Sequence, residues 1–174
     1  MLDVCDIGAW VELETDPRQR EFRAAVHTVL SAIATSPLQA QMVIKGGILL
    51  AFRYHSHRHT RDLDFSTDVE YSDFDAKRFW ADLERALARA VESMDYGLDC
   101  RVQSKRIEPK KDKVTFPTLV ASVGYASKGD PRKHRRLLAL NSSDIVKIEY
   151  SFNEITHDVE HINILNGGVI TPIA

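Results

Sequence analysis

Hydrophobic and polar positions follow two different periods along this chain. After Asp16-Pro17, an acidic cap followed by proline, hydrophobic side chains recur at helical spacing and predict a helix that ends near Ser36-Pro37. A second, longer helix is predicted over Asp73–Met94, and its hydrophobic stripe, which includes Trp80, is interpreted as core. The first sixteen residues show neither period clearly and are interpreted as a lead-in.

Shorter hydrophobic runs fit strands rather than helices. Five such strands are predicted: Gln41–Lys45, Arg61–Ser66, Leu98–Ile107, Phe116–Tyr125 and Asp144–Phe152. A helix is predicted to start at Ile48, directly after Gly46-Gly47, while Glu108–Lys113 fits a charged turn and Gly129–Arg136 a basic loop. Because helices and strands mix without strict β-α-β alternation, the pattern predicts an α+β fold with a mixed, twisted sheet flanked by helices.

The given sequence ends with a further hydrophobic run, Gly-Gly-Val-Ile-Thr-Pro-Ile-Ala. We expect this run to enter further structure in a longer parent protein. The alternative is that Val169–Ile173 adds an edge strand.

Composition narrows the class of protein. The 174 residues suit one domain with a real core, and 44% hydrophobic with 28% charged residues indicates a globular chain. A net charge of -2 means that any nucleic-acid binding must use a local basic patch. Cys5 and Cys100 have neither metal-ligand spacing nor a disulfide framework, which favours a reduced, cytoplasmic location. The absence of a hydrophobic stretch of about 18 residues argues against a membrane span.

The string Thr-Arg-Asp-Leu-Asp-Phe places two carboxylates within one predicted strand. Residues two apart in a strand point to the same side, so Asp62 and Asp64 share one face while Leu63 and Phe65 face the core. Neighbouring carboxylates repel each other and need a cation, a shared proton or exposure to water. Mg²⁺ is normally held by carboxylates together with water and substrate phosphates, so the pair is a candidate metal clamp. A solvated strand end is the alternative.

Lys147 and Glu149 repeat this arrangement in a later strand. Val146, Ile148 and Tyr150 alternate with them, so the lysine and the glutamate share a face. On a strand next to the aspartates, Glu149 would complete a site for two metal ions about 4 Å apart. The alternatives are an exposed strand residue at Glu149 and an ordinary surface ion pair at Lys147.

Gly46-Gly47 lies between a predicted strand and a predicted helix. Amides without side chains can approach a ligand closely, and the helix N-terminus behind them attracts anions. Fourteen residues separate Gly47 from Asp62, enough for one short helix and a turn that returns the chain beside its starting strand. The pattern predicts a phosphate-binding turn that faces the carboxylates, and an ordinary strand-to-helix turn is the alternative.

Together these motifs resemble the AbiEii-type nucleotidyltransferase toxins of the DNA polymerase β-like superfamily, which belong to type IV toxin–antitoxin systems. The resemblance covers roughly residues 42–150. The matching residues are Lys45-Gly46-Gly47, Leu49, Tyr54, Arg58, Thr60, Asp62-Leu63-Asp64-Phe65 and Lys147-Ile148-Glu149.

The resemblance implies a minimal nucleotidyltransferase core over residues 1–174, as the N-terminal part of a longer family member. The implied reaction is transfer of a nucleoside monophosphate from an NTP to an acceptor, with release of pyrophosphate. Some related toxins modify tRNA 3′ ends, which makes tRNA the leading acceptor. Family members also pair with a separate antitoxin.

The resemblance also implies roles for individual residues. Asp62, Asp64 and Glu149 would be catalytic and would bind two Mg²⁺ ions, with Lys147 as a further catalytic residue. The nucleotide would be bound by a second set: Lys45, Gly46, Gly47, Arg58 and Thr60.

The chain differs from the family pattern at Ile48, where a hydroxyl residue usually follows the two glycines and can bind phosphate. Two other hypotheses therefore stay open. The chain could be a degenerate or truncated transferase that binds a nucleotide or an antitoxin. It could instead be a metal-dependent phosphohydrolase, which would release phosphate rather than pyrophosphate.

Two basic runs stand out in a chain of slightly negative net charge. Residues 110–113 and Arg132–Arg136 both fit solvated loops, and the second run is dense enough to attract RNA phosphates. His55, His57 and His59 alternate in a polar stretch, and we interpret them as part of a basic rim rather than as metal ligands. The other members of this rim are Arg53, Arg58 and Arg61.

Overall fold

A computed structural model describes residues 4–54, 61–109, 116–156, 159–166 and 169–173. Its helices are α1 (Ile7–Glu12), α2 (Pro17–Ala34), α3 (Gly46–Tyr54), α4 (Ala76–Ser93) and α5 (Pro131–Leu138), with 3₁₀ turns at Pro37–Ala40 and Tyr71–Asp73. Its strands are β1 (Val4–Cys5), β2 (Val43–Lys45), β3 (Asp62–Ser66), β4 (Leu98–Glu108), β5 (Thr118–Ser127), β6 (Ile145–Ser151), β7 (Ile162–Asn166) and β8 (Val169–Ile173).

The main sheet has five strands in the order β2-β3-β6-β5-β4. β3 and β6 run parallel, and the other neighbouring strands are antiparallel. A smaller sheet has the order β1-β7-β8. The α+β prediction with a mixed sheet and flanking helices is confirmed.

Helices α2 and α4 cover one face of the main sheet. Asp16 accepts hydrogen bonds from the N–H groups of Arg18 and Gln19, which caps α2 where the sequence predicts its start. In α4, Leu83 and Leu87 are each 1% exposed and belong to the same hydrophobic core as the inner side chains of β5. Burying one such leucine contributes about 1.5–3 kcal/mol. The face of the main sheet that packs against α2 and α4 is therefore the hydrophobic one, and the opposite face is available for polar side chains.

Trp80 lies at the margin of this core rather than inside it. Its indole packs edge-on against Phe79, which is buried, and the Lys105 ammonium lies 4.8 Å from the indole centroid. The predicted stripe is confirmed at Phe79, and Trp80 forms its half-buried border.

Two expectations from the sequence are wrong. The predicted basic loop Gly129–Arg136 is largely the helix α5, because Asp130 caps the Lys133 N–H and Pro131 occupies the first turn. The predicted lead-in contains α1, whose Trp10 side chain is buried. The helix α1 is too short to show a helical period, and α5 is too highly charged to show one.

Val169–Ile173 forms strand β8, antiparallel to β7, as one of the two alternatives proposed. Of the predicted charged turn Glu108–Lys113, Glu108 ends β4, and residues 110–113 lie outside the described part of the chain. No described helix combines the length and the hydrophobicity required to cross a membrane.

Candidate functional site

The parallel register of β3 and β6 brings the predicted acidic residues together. Asp62 pairs with Lys147, and Asp64 pairs with Glu149. On the outer side of β3, the antiparallel strand β2 places Lys45 opposite Asp64. Paired residues on adjacent strands point to the same face, so these five side chains form two short rows on the face opposite α2 and α4.

Burial confirms which face the carboxylates occupy. Leu63 and Phe65 are at most 2% exposed, and Ile148 between Lys147 and Glu149 is 1% exposed. The charged side chains that alternate with them remain partly exposed. The strand alternation predicted from the sequence is therefore confirmed in both β3 and β6.

Lys147 links the two strands electrostatically. Its Nζ lies 2.5 Å from Glu149 Oε1 and 3.7 Å from Asp62 Oδ2. The hydrogen bond to Glu149 raises the pKa of Lys147 despite partial desolvation, and the charges of Asp62 and Glu149 add to that effect. Lys147 is thus a cation held between two acidic residues.

Asp64 lies at the crowded centre of the cluster. Burial raises the pKa of its carboxyl group, and the charges of Glu149 and Asp62 raise it further. Lys45 and Lys147 oppose this effect without reversing it. The site therefore carries more negative charge than its two lysines offset, which favours binding of a cation.

Position 46 requires a glycine because its backbone lies against the Asp64 side chain. It has a φ angle of +82°, a conformation that glycine adopts without a steric cost. A Cβ atom at this position would overlap the Asp64 carboxylate, coming within 2.3 Å of Oδ2. Gly46 is the first residue of α3, two positions before the predicted helix start, and the backbone at this β2–α3 junction lies directly against the Asp64 carboxylate.

Ile48 is 1% exposed and belongs to the hydrophobic core. This position, where the resembling family usually has a hydroxyl residue, therefore offers the site no side-chain donor. Any binding of phosphate at the start of α3 must rely on backbone N–H groups and on nearby cations.

Glu154 is a site residue that sequence reasoning missed. Its Oε2 lies 2.6 Å from Lys45 Nζ and also accepts a hydrogen bond from the Ser66 hydroxyl. The backbone N–H groups of Asn153 and Glu154 bond to the carbonyls of Val69 and Thr67, at 2.9 and 3.0 Å. The segment after β6 is thus held against the segment after β3. Glu154 lies 109 residues from Lys45 in sequence, so no local spacing could have indicated the contact.

The pKa of Glu154 is lowered. Burial opposes this shift, but the hydrogen bonds from Lys45 and Ser66 outweigh it. Because the folded-state pKa lies below the unfolded value, Glu154 contributes stability above the unfolded pKa, and this contribution disappears as pH falls through the folded pKa.

We expect Glu154→Gln to lower the free energy of unfolding by about 0.5–1 kcal/mol at neutral pH, a modest loss because the ion pair is partly exposed. The loss should shrink toward zero as the pH falls through the acidic range. Urea denaturation of both proteins over a pH series measures this difference. Glu92→Gln, at an exposed position of α4, is the matched control. A difference that does not change with pH would contradict this role.

The donor set fits Mg²⁺ by its chemistry. Asp62, Asp64 and Glu149 offer only carboxylate oxygens, which this ion prefers, and the pKa of Asp64 is raised first by burial and then by the charges of the other two. As the side chains stand, no three acidic, histidine or cysteine residues in the described part of the chain are arranged to hold a metal ion. Glu149 is instead bound to Lys147. The two-metal site stays a prediction, and it requires Glu149 to leave Lys147.

Arg58 and Thr60 lie outside the described residues, as do the three histidines of the predicted basic rim. The side chain of Arg53 is likewise not described. Of the predicted nucleotide-binding set, the structure places Lys45 opposite Asp64 and Gly46 against its carboxylate, and Gly47 is the next residue of α3.

Comparison with known proteins identifies the family. A family profile described as nucleotidyl transferase AbiEii toxin, type IV TA system, matches residues 28–166. The chain belongs to the AbiEii family. The matched range runs from within α2 to the end of β7, so the AbiEii match includes all four charged residues of β3 and β6.

Two solved structures from Helicobacter pylori resemble this AbiEii-family chain. JHP933 is 18% identical, with 90% of this chain and 52% of that chain covered and a TM-score of 0.46. A candidate nucleotidyltransferase is also 18% identical, with 89% and 53% covered and a TM-score of 0.46. The chain thus spans about half the length of each solved protein. A search of curated proteins gave no match.

Proposed function

We propose that this AbiEii-family chain is a Mg²⁺-dependent nucleotidyltransferase toxin that transfers a nucleoside monophosphate from an NTP to tRNA. The observation that carries the proposal is the parallel β3–β6 register, which places Asp62, Asp64 and Glu149 on one face. The close approach of Gly46 to Asp64 supports a nucleotide site at the same place. Family membership supports the reaction class.

In this proposal Asp62 and Asp64 would hold the metal ions, and Glu149 would be a further ligand once it leaves Lys147. When bound, Mg²⁺ supplies charge neutralisation of the phosphates and activation of the attacking hydroxyl. The acceptor hydroxyl oxygen forms a bond to the α-phosphorus, and the bond from that phosphorus to the bridging oxygen breaks to release pyrophosphate. Glu149 accepts the hydroxyl proton.

The two lysines bind the triphosphate from opposite sides of Asp64. Lys45 is oriented by Glu154, and Lys147 is released for the phosphates when Glu149 turns away from it. Backbone N–H groups at Gly46 and Gly47 add donors at the start of α3. Most of the rate acceleration would then come from positioning and electrostatics, as is usual for transfer of phosphoryl groups.

A cognate antitoxin is the partner that we propose from the family description, and the cytoplasm is the proposed location. One observation favours a second function, in which the chain binds a nucleotide or the antitoxin without turnover. Ile48 is buried where a phosphate-binding hydroxyl is usual in the resembling family.

The test is to incubate the purified chain with Mg²⁺, total tRNA and each NTP in turn, labelled at the α-phosphate. We expect label to move onto tRNA with one preferred NTP, together with release of pyrophosphate. Mg²⁺-dependent NTP binding without transfer would support the binding function instead. Release of free phosphate without labelled RNA would identify a phosphohydrolase, and the absence of NTP binding would contradict both nucleotide-dependent functions.

A further inference from the structure

Helix α5 lies on the same face of the sheet as the carboxylates. Leu137, which is fully buried, packs onto Gly124 of β5, where an added Cβ would come within 2.9 Å of Leu137 Cδ1. Gly124 pairs with Ile145 of β6, two residues before Lys147. Since two strand residues span about 7 Å, α5 covers the part of this face next to the site.

The inner side of α5 is fixed by two polar contacts. His134 Nε2 lies 2.9 Å from Asp99 Oδ2, and Lys133 Nζ lies 3.6 Å from Asp144 Oδ2. With Leu137, these contacts define which side of the helix faces the sheet. The remaining charged residues of α5 consequently point away from it.

The outer side of α5 carries three arginines: Arg132, Arg135 and Arg136. All three are exposed, and none forms an ion pair with another residue in the described part of the chain. At helical spacing, Arg132 and Arg135 lie on the side opposite Leu137, and Arg136 lies on the adjoining flank, about 100° around the helix from Leu137. Exposed guanidinium groups that lack a carboxylate partner suit phosphate oxygens, which they bind in a bidentate manner.

Two exposed leucines lie beside these arginines. Leu138 is 51% exposed and Leu140 is 50% exposed. Single-stranded RNA presents phosphates together with unstacked bases, so it can use both cationic and apolar contacts. Because the net charge of the chain is -2, no basic field surrounds the whole molecule. The attraction of RNA phosphates is therefore concentrated on the face that carries these arginines.

We propose that the outer side of α5, formed by Arg132, Arg135 and Arg136, binds the phosphates of a single-stranded RNA end whose terminal hydroxyl lies at Asp62 and Asp64. The inference rests on the proposed function, because it assigns the acceptor's path to the same site. The helix is about 12 Å long, enough to contact successive phosphates before the strand reaches the carboxylates. An acidic protein surface is the alternative partner for these arginines, and the test below distinguishes it from RNA.

The test compares two triple variants with equal loss of charge. Arg132→Gln/Arg135→Gln/Arg136→Gln removes the proposed contacts, and the control Lys77→Gln/Arg85→Gln/Arg89→Gln removes three charges from α4, on the opposite face. Binding of a fluorescein-labelled single-stranded RNA with a free 3′ hydroxyl is followed by fluorescence anisotropy over a range of NaCl concentrations. Mg²⁺–NTP binding and thermal unfolding are measured on the same samples.

We expect the α5 variant to bind RNA at least about tenfold more weakly at low salt, with the slope of log affinity against log salt reduced by about 2. The α4 control should stay within about twofold of the wild type, since its charges lie far from the proposed path. Both variants should keep the wild-type NTP affinity and unfolding temperature.

Three results would overturn the inference. The α5 variant could bind RNA with wild-type affinity and salt slope, or both triple variants could weaken RNA binding equally. The α5 variant could also keep RNA binding but lose its complex with the antitoxin, which would assign the surface to a protein partner. Failure of the wild type to bind or transfer an NTP would refute the proposed function instead, and the RNA comparison would still decide whether α5 binds RNA.

Discussion

Replacing Asp62 and Asp64 together by asparagine is expected to lower nucleotide transfer by about 10³-fold or more. The two side chains share one face beside Lys147 and Glu149, and asparagine keeps their shape while removing both negative charges. Transfer is measured as α-labelled nucleotide incorporated into RNA per unit time.

The same variant should fold at least as stably as the wild type. The pKa of Asp64 is raised, so its charged form opposes folding, and the wild type gains stability as pH falls through the folded-state pKa. Neutral asparagine removes that repulsion, and the unfolding temperature at neutral pH should stay the same or rise. Loss of transfer with intact folding therefore separates a catalytic role from a structural one.

Asp68→Asn/Glu70→Gln is the matched control for charge. Both residues are exposed in the segment after β3, and their replacement removes the same number of carboxylates close to the site. This control should transfer nucleotide at the wild-type rate. If the Asp62/Asp64 variant kept transfer within about tenfold of the wild type, the carboxylates could not be the metal clamp.

Gly46→Ala is expected to lower transfer by about 10²-fold, because displacement of a catalytic group by about 1 Å is enough for such a loss. The added Cβ would overlap Asp64 Oδ2, so either the carboxylate or the backbone at the β2–α3 junction must move. The positive φ angle adds a conformational cost of about 1–2 kcal/mol. Transfer rate and the free energy of unfolding are both measured.

Gly97→Ala separates these two effects. Gly97 also has a positive φ angle, +63°, but nothing lies within 4 Å of a Cβ added there. This variant should lose a similar conformational free energy while keeping full transfer. Equal losses of transfer in both variants would show that stability, rather than contact with Asp64, limits the activity of Gly46→Ala.

Local alternation predicted correctly which charged side chains share a face of the sheet. Asp62 and Asp64 share a face because every strand alternates with a period of two, and the same rule places Lys147 with Glu149. The helix α2 was equally predictable, since Asp16 and the hydrophobic spacing after it are local signals. Such features need no knowledge of which segments meet in space.

Long-range pairing could not be predicted in this way. The sequence suggested that Glu149 lies on a strand near the aspartates, but only the fold sets its register opposite Asp64. Glu154 reaches Lys45 through the backbone contacts of a segment without regular secondary structure. Helix α5 was missed for a different reason. Leu137 is the one buried residue of this helix and most of the others are charged, so no hydrophobic residues recur at helical spacing.

The most direct test of the central claim is a titration with Mn²⁺, a spectroscopic substitute for Mg²⁺, followed by electron paramagnetic resonance with and without a non-hydrolysable NTP analogue. We expect the wild type to bind Mn²⁺ more tightly when the analogue is present, because Asp62, Asp64 and the phosphates share the ion. The Asp62→Asn/Asp64→Asn variant should lose this binding in both conditions. Equal Mn²⁺ binding by the variant and the wild type would contradict a metal-dependent nucleotide site at β3 and β6.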